Sequence, residues 1–296
     1  MIAPRLYTNP YLLLTLTALF WSGNMVLGRG IRGDVPPLAL AFWRWAIAFA
    51  CVLPLALPHL KAQWPLLKAG WRPVVILGLI GVGGYNTFAY IALQYTSATN
   101  AVLLNSFIPV ATIAISWAFL GKRLRRLEAI GVAVSLTGAL AIVARGDPAV
   151  LAHLNLNLGD VWMLGAVLIW AVYTVGLAWR PAGVHPMLML AAFCAVGLAA
   201  LFPAYLWEMA EGRHINVHWG SLASLAYVGI FPSFLGYIFY NRGIAEVGAA
   251  RGSLFIHLMP VFGTLLSAIF LAEIPQWYHY AGITLIFTGI GLTMKK

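Results

Sequence analysis

Ten apolar stretches, separated by short polar segments, divide the chain from end to end. They cover residues 11–28, 37–57, 74–96, 98–120, 129–144, 161–179, 186–207, 221–241, 249–271 and 277–294. Most approach the ~20 residues with which an α-helix crosses a hydrocarbon layer ~30 Å thick. The connecting segments are too short to form a soluble domain. The pattern therefore predicts an all-α membrane protein with ten transmembrane helices.

Composition supports a lipid environment for most of the chain. Of the 296 residues, 62% are hydrophobic and only 9% are charged, against roughly 25% charged residues in a soluble domain. No Asp or Glu falls within any of the ten stretches. The sequence has neither a Gly-rich phosphate loop nor a clustered set of metal ligands, so we expect no cofactor and no metal. Cys51 and Cys194 lie within apolar stretches, and we expect no disulfide.

The net charge of +10 is divided unevenly between the two faces that ten spans define. One face collects thirteen basic residues, which are Arg5, Lys61, Lys68, Arg72, Lys122, Arg123, Arg125, Arg126, Arg180, Arg242, Arg251, Lys295 and Lys296. The other collects Arg29, Arg32, Arg145 and Arg213, and Arg44 lies inside a stretch. The positive-inside rule therefore places both termini in the cytoplasm. We interpret the run KRLRR at 122–126 as a topology anchor, and we expect no nucleic-acid partner.

A repeat relates the two halves of the chain. Residues 103–122 read LLNSFIPVATIAISWAFLGK, and residues 254–273, which begin 151 positions later, read LFIHLMPVFGTLLSAIFLAE. Leucine, proline, valine, serine and phenylalanine recur in register, and Trp21 recurs as Trp170 with a spacing of 149. The chain therefore divides into two units of five helices, residues 1–146 and 147–296.

The terminal charge of the repeated segment changes sign, from Lys122 to Glu273. Because five helices are an odd number, the second unit enters the membrane from the opposite side, so the fourth stretch ends in the cytoplasm and the ninth outside. The sign change thus obeys the positive-inside rule. Inverted repeats are typical of secondary transporters, whose site lies near the midplane where the halves meet. We predict two inverted five-helix repeats around a central cavity.

Several of these features together resemble a known superfamily. They are the five-plus-five arrangement, the Phe42–Trp43–Arg44 sequence of the second stretch, and the proline-containing fourth and ninth stretches that end in LGK and LAE. They resemble the drug/metabolite transporter superfamily, with an EamA-type repeat covering the chain twice. Within it the chain is most similar to the YddG group of bacterial aromatic amino acid exporters. EamA repeats usually end the fourth span with a glutamate, which is Lys122 here, so any role of that carboxylate rests with Glu273.

Polar side chains inside the stretches indicate which helix faces point away from lipid. Polar and aromatic residues form stripes in three pairs of matching stretches, which are the first and sixth, the third and eighth, and the fourth and ninth. The expected substrate-binding residues are Trp21, Asn24, Tyr85, Asn86, Tyr90, Asn105, Trp170, Tyr173, Tyr237, Tyr240, Asn241 and His257. The alternative is that Asn86 and Asn105 join helices to one another and that the aromatic residues belong to the interfacial belt or face lipid. Trp277, Tyr278 and Tyr280 are assigned to the interfacial belt.

Arg44 and His257 are the deepest ionisable side chains. Arg44 either binds backbone carbonyls as a structural tie or binds a substrate carboxylate. His257 either contacts substrate or a proton, or is a satisfied interior histidine. Glycines of the fifth and tenth stretches offer faces for close helix contact, which we assign to the scaffold or to a dimer interface.

These features favour a multi-pass transporter. The resemblance implies export of amino acids, aromatic ones included, and of related small metabolites across the bacterial inner membrane by alternating access. Another metabolite or drug of the same superfamily is the alternative. An intramembrane enzyme would need a catalytic set for which only His257 is available, and a scaffold would not explain the paired stripes. The expected partners are the small-molecule substrate and the lipid bilayer, and the protein is expected to be a monomer or a homodimer.

Overall fold

The computed structural model describes residues 9–96, 98–152, 157–270 and 274–294. These residues form helices and loops, with no β-strand among them. The long helices of this part of the chain are α1 Pro10–Gly30, α2 Pro37–Ala69, α3 Trp71–Tyr95, α4 98–120, α5 Arg126–Val143, α6 Leu158–Trp179, α7 Pro186–Ala210, α8 Trp219–Val247, α9 249–270 and α10 Trp277–Met294. Some residues used in the topology prediction lie outside the described part of the chain. They are Arg5, Glu273, Lys295 and Lys296, together with the side chain of Arg29.

Within the described ranges, α1 to α9 are long and apolar enough to cross a membrane. The tenth helix has 18 residues but begins with Trp277, Tyr278, His279 and Tyr280, whose polar groups lower its mean hydropathy. Each predicted stretch coincides with one helix. The prediction of an all-α membrane protein is confirmed, and the predicted count of ten agrees with nine clear spans and α10.

The second helix is longer than its apolar stretch, which ends at residue 57. It continues to Ala69 and has 33 residues, a length of ~50 Å that exceeds the ~30 Å hydrocarbon layer. The extension is held by the start of α7, because the His59 ring stacks on the His185 ring with centroids 3.8 Å apart. The Gln63 amide oxygen also accepts the His185 N–H at 2.7 Å.

Helices α6 and α7 extend over acidic residues that the apolar stretches excluded. Both Asp160 and Glu208 are buried within them. The Glu208 carboxylate accepts the N–H groups of Leu38 at 3.2 Å and Ala39 at 2.7 Å. It therefore caps α2, whose first N–H groups have no partner within their own helix.

Contacts between equivalent helices confirm that the two units are inverted. A Cβ on Gly131 of α5 would lie 2.6 Å from the Gly289 carbonyl oxygen of α10, and one on Gly138 would lie 2.6 Å from that of Gly282. The partner number falls as the α5 number rises, so the two fifth helices run antiparallel. These glycines thus pack within one chain, as the scaffold prediction requires. The dimer alternative stays a prediction.

Both units also contain irregular helix at equivalent positions. Residues Gly78–Gly84 of α3 and Gly229–Leu235 of α8 are π-helical and start 151 positions apart. The fourth helix is interrupted at Ser106 and Phe107, and the ninth passes through a 3₁₀ turn at Leu254–His257. The apolar pattern does not predict the π-helical turns, because hydrophobic periodicity does not report the hydrogen-bond register of the backbone. The irregular turns of α4 and α9 lie just before Pro109 and Pro260, where a proline leaves a helical carbonyl without its partner.

The connections after α2, α4, α6 and α8 lie at one face of the bundle, called here the basic face. A Cβ on Gly70, between α2 and α3, would overlap Pro181, between α6 and α7. The Arg251 guanidinium at the start of α9 pairs with the Glu128 carboxylate at the start of α5 at 2.7 Å. At the opposite face the Asn216 amide donates to the Asp34 carboxylate at 3.0 Å.

Candidate functional site

Six predicted site residues form one aromatic cluster in the middle of the bundle. It consists of Trp21 from α1, Tyr85 from α3, Trp170 and Tyr173 from α6, and Tyr237 and Tyr240 from α8. The Trp21 and Trp170 rings meet edge to face with centroids 5.0 Å apart. Trp170 lies 4.7 Å from Tyr85 and 5.4 Å from Tyr237. All six side chains are buried, so the cluster is closely packed in this conformation.

The π-helical segments supply backbone acceptors to this cluster. The indole N–H of Trp21 donates to the Pro232 carbonyl at 2.9 Å, and the Tyr237 hydroxyl donates to the Gly81 carbonyl at 2.6 Å. Residues 81 and 232 occupy equivalent positions in the two units. A π-helical turn changes the backbone register and often occurs at functional sites. The absence of a side chain at Gly81 matters here, because a Cβ would overlap the Tyr173 ring.

Arg44 is the centre of a polar network that also includes Asn24, Asn86, Tyr90 and Ser233. Its Nε donates to the Ser233 hydroxyl at 2.7 Å. Its Nη1 donates to the amide oxygens of Asn24 at 3.2 Å and Asn86 at 2.6 Å, and to the Tyr90 hydroxyl. The network joins α1, α2, α3 and α8, and Arg44 is only 1% exposed.

The charge of Arg44 is held by neutral acceptors. Among the described residues, no carboxylate forms an ion pair with it. A buried cation without an anionic partner is costly in a low-dielectric interior and can gain from binding an anion. The polar network adjoins the aromatic cluster, because the Asn86 amide donates to the Tyr237 hydroxyl at 3.4 Å.

The remaining predicted asparagines lie beside the cluster. The Asn105 amide hydrogen-bonds the Tyr85 hydroxyl at 3.1 Å, and the Asn241 amide oxygen accepts the Tyr173 hydroxyl at 2.9 Å. Asn105 ends the first part of α4 at its interruption. Both asparagines therefore orient aromatic rings of the cluster.

His257 is held apart from both groups. Its Nε2 lies 2.9 Å from the Ser106 carbonyl oxygen and its Nδ1 lies 2.7 Å from the Ser135 hydroxyl. A carbonyl can only accept, so Nε2 carries the proton and Nδ1 accepts from Ser135. Both ring nitrogens are thus used to join α9 to α4 and α5. This arrangement favours the interior-histidine alternative, and a role in substrate binding stays a prediction.

Among the described residues, two cavities lead from the basic face toward the aromatic cluster. The larger, called here the vestibule, has a volume of about 520 Å³ and lies between the ends of α4, α6 and α8. Thr174 lines it, and the Thr174 hydroxyl is 2.9 Å from the Tyr240 hydroxyl. A second cavity of about 120 Å³ is lined by Asn241 and Phe193. Both cavities thus end at side chains that are hydrogen-bonded to the cluster or packed against it.

Several residues of this region were not among the site residues predicted from the sequence. Trp45 is fully buried, with its ring 4.6 Å from that of Tyr237 and no acceptor for its indole N–H among the described residues. No polar stripe in α2 pointed to it. Ser233 and Thr174 did carry a signal, because Ser233 precedes Tyr237 by four residues and Thr174 follows Trp170 by four.

Known proteins similar to this chain are transporters. The model of the EamA-like transporter family matches twice, over residues 8–144 and 157–295. An uncharacterized transporter of Archaeoglobus fulgidus is 28% identical and covers 98% of each chain. The uncharacterized transporter YyaM of Bacillus subtilis is 25% identical over 96% of this chain and 93% of its own length.

Another relative is named a probable terminal-alkyne amino-acid exporter, from Streptantibioticus cattleyicolor. It is 25% identical over 96% of this chain and 92% of its own length. A solved crystal structure with 22% identity superposes with a TM-score of 0.78 over 96% of each chain, which shows a shared fold. With two matches that together span most of its length, the chain belongs to the EamA-like transporter family of the drug/metabolite transporter superfamily.

Proposed function

We propose that this transporter exports amino acids, aromatic ones included, across the bacterial inner membrane, with its basic face and both termini in the cytoplasm. The observation that carries the proposal is the contact between the Arg44 network and the aromatic cluster through Asn86 and Tyr237. An amino acid has a carboxylate for the first and, when aromatic, a ring for the second. The name of the Streptantibioticus relative, a probable terminal-alkyne amino-acid exporter, supports export of amino acids as the substrate class.

In this proposal the substrate carboxylate replaces neutral acceptors of the Arg44 guanidinium. An ionised acceptor makes a shorter and stronger hydrogen bond than an amide or hydroxyl oxygen. The substrate side chain separates the rings of Trp21 and Trp170, which contact each other in the closed cluster. Binding therefore exchanges ring–ring contacts within the protein for ring–substrate contacts, and the two inverted units then expose the site to the other face.

Two alternatives remain distinct from this proposal. Arg44 already has four neutral hydrogen-bond partners that join four helices, which supports a purely structural role. Another metabolite of the superfamily is the second alternative, because the family match itself does not fix the substrate. A drug that is transported by members of the superfamily is part of this second alternative.

Counterflow in proteoliposomes with a panel of labelled amino acids tests the proposal. We expect exchange of phenylalanine by the native protein and a loss of about tenfold or more in Arg44→Gln, corresponding to ~1.4 kcal/mol per tenfold. Arg44→Lys keeps the charge but not the planar fork, and should retain part of the activity. Arg72→Gln, at the basic face and away from the network, is the matched control.

Two results would contradict the proposal. If the native protein exchanges no amino acid, the substrate class is wrong. If Arg44→Gln exchanges phenylalanine normally, Arg44 is a structural tie and the carboxylate binds elsewhere. Thermal stability of each variant in detergent separates a binding defect from misfolding.

A further inference from the structure

The vestibule is lined by basic residues whose charge is not compensated. Lys122 from the end of α4 and Arg180 from the end of α6 both line it, and no acidic residue does so among the lining residues of the described chain. Arg180 also lines the smaller cavity that reaches Asn241. The Arg180 guanidinium donates to the Leu177 carbonyl at 3.0 Å. Arg180 therefore lines both cavities that lead toward the aromatic cluster.

Neighbouring arginines on the same face differ in this respect. Arg242 pairs with Glu246 at 2.8 Å, and Arg251 pairs with Glu128 at 2.7 Å. Among the described residues, neither Lys122 nor Arg180 forms an ion pair. The paired arginines contribute little net field, whereas the two unpaired cations sit on a concave wall of low-dielectric helices. Such a wall focuses the field into the cavity.

We propose that Arg180, assisted by Lys122, makes the vestibule selective for substrates that carry a carboxylate and no net positive charge. The class comprises monoanions and zwitterions with an apolar or aromatic body, and cationic amines are excluded at the entrance. The inference rests on the proposed function only in treating the vestibule as the loading entrance. Arg180 thus acts on substrate specificity before the substrate reaches Arg44. Both side chains on this path are positive, so both favour a substrate carboxylate.

Charged thiol reagents test the selectivity without any knowledge of the substrate. In a background with Cys51 and Cys194 replaced by alanine, Ala245→Cys places one exposed thiol on the wall shared by both cavities. We expect the anionic sulfonatoethyl methanethiosulfonate to react faster than the cationic trimethylammonium-ethyl reagent by about fivefold or more relative to a free small thiol, because the local field concentrates anions. The ratio of the two rates cancels any change in thiol reactivity.

Adding Arg180→Gln should lower this ratio by roughly threefold, and Lys122→Gln should lower it less, since an exposed charge is better screened. Arg72→Gln removes the same charge from the basic face but lines neither cavity, so it should leave the ratio unchanged. A thiol at Ala62, an exposed position of α2 outside the cavities, should not respond to Arg180→Gln. A ratio equal to that of the free thiol, or one that Arg180→Gln leaves unchanged, overturns the proposal.

A transport series with one aromatic body extends the test to substrates. Phenylalanine is a zwitterion, 3-phenyllactate is an anion and phenylalaninol is a cation. We expect the first two to compete for counterflow at least about tenfold better than phenylalaninol, with the difference reduced in Arg180→Gln. If phenylalanine is carried and phenylalaninol competes equally well, the entrance proposal fails and the export proposal stands. If only 3-phenyllactate is carried, the amino-acid proposal fails and the entrance proposal stands.

Discussion

Tryptophan side chains in this protein occupy two different environments. Trp21 and Trp170 are 9% and 1% exposed within the aromatic cluster, whereas Trp277 is 68% exposed at the start of α10. The first two contact each other and the tyrosines of α8, and the indole of Trp21 is further fixed by the Pro232 carbonyl. The third lies where an interfacial belt residue is expected.

If the cluster binds substrate, Trp21→Ala or Trp170→Ala weakens transport of an aromatic amino acid several-fold to tenfold or more. Stacked aromatic contacts contribute ~0.5–1.5 kcal/mol beyond area burial, and each ~1.4 kcal/mol is tenfold in affinity. The measurement is the concentration dependence of phenylalanine counterflow, compared with that of alanine. A selective loss for phenylalanine supports the site.

Trp277→Ala is the control for this pair and should change neither substrate's transport by more than about twofold, because surface substitutions are usually within ±0.5 kcal/mol. Should Trp21→Ala and Trp170→Ala behave like Trp277→Ala, the cluster does not bind the substrate ring. The site would then have to be sought on other faces of the bundle.

At the scale of single elements, the π-helical segment of α3 offers a sharp comparison between two glycines. A Cβ on Gly81 would overlap the Tyr173 ring, whereas one on Gly83 would meet no atom closer than 3.9 Å. We expect Gly81→Ala to displace Tyr173 from Asn241 and to lower transport several-fold, at an overpacking cost of ~1–3 kcal/mol. Gly83→Ala should be tolerated. Equal activity of the two variants would show that the position of Tyr173 does not matter.

The contact between α5 and α10 allows a second comparison within one helix. A Cβ on Gly289 would lie 2.5 Å from the Ser135 backbone nitrogen, whereas one on Gly291 would meet nothing within 4 Å. Gly289→Ala should lower the thermal unfolding temperature in detergent by several degrees, as expected for ~1–3 kcal/mol of overpacking. Gly291→Ala should leave it unchanged or raise it, since alanine favours helix by up to ~1 kcal/mol. Equal destabilisation by both would contradict the close packing.

At the scale of the whole molecule, the proposed orientation in the membrane rests on the unequal distribution of basic residues over the two faces. Arg123 and Arg213 are exposed on opposite faces. In the cysteine-free background we expect Arg213→Cys to react with a membrane-impermeant thiol reagent in intact cells. Arg123→Cys should react only after the membrane is permeabilised. The reverse pattern at both positions would invert the proposed topology and turn the vestibule to the outside.

The sequence alone determined the membrane class, the ten helical segments and the inverted repeat. Each of these follows from a local property, which is the length of an apolar stretch, the helical phase of its polar residues or the recurrence of a motif. The same helical phase selected the aromatic residues that the structure brings together in one cluster. It also selected Asn24, Asn86 and Tyr90, which surround Arg44.

Only the tertiary structure decided how those residues are partnered. The acceptors of Arg44 lie up to 189 residues away in sequence, and His257, an equal candidate by depth, is bound to Ser106 and Ser135 instead. The π-helical turns at Gly81 and Pro232 were not predicted from the sequence. Their carbonyls accept hydrogen bonds from donors on other helices. Hydrophobic periodicity specifies which face of a helix is buried but not which helix it meets. Contacts between distant segments therefore decided the partners, because they depend on how the two units pack in three dimensions.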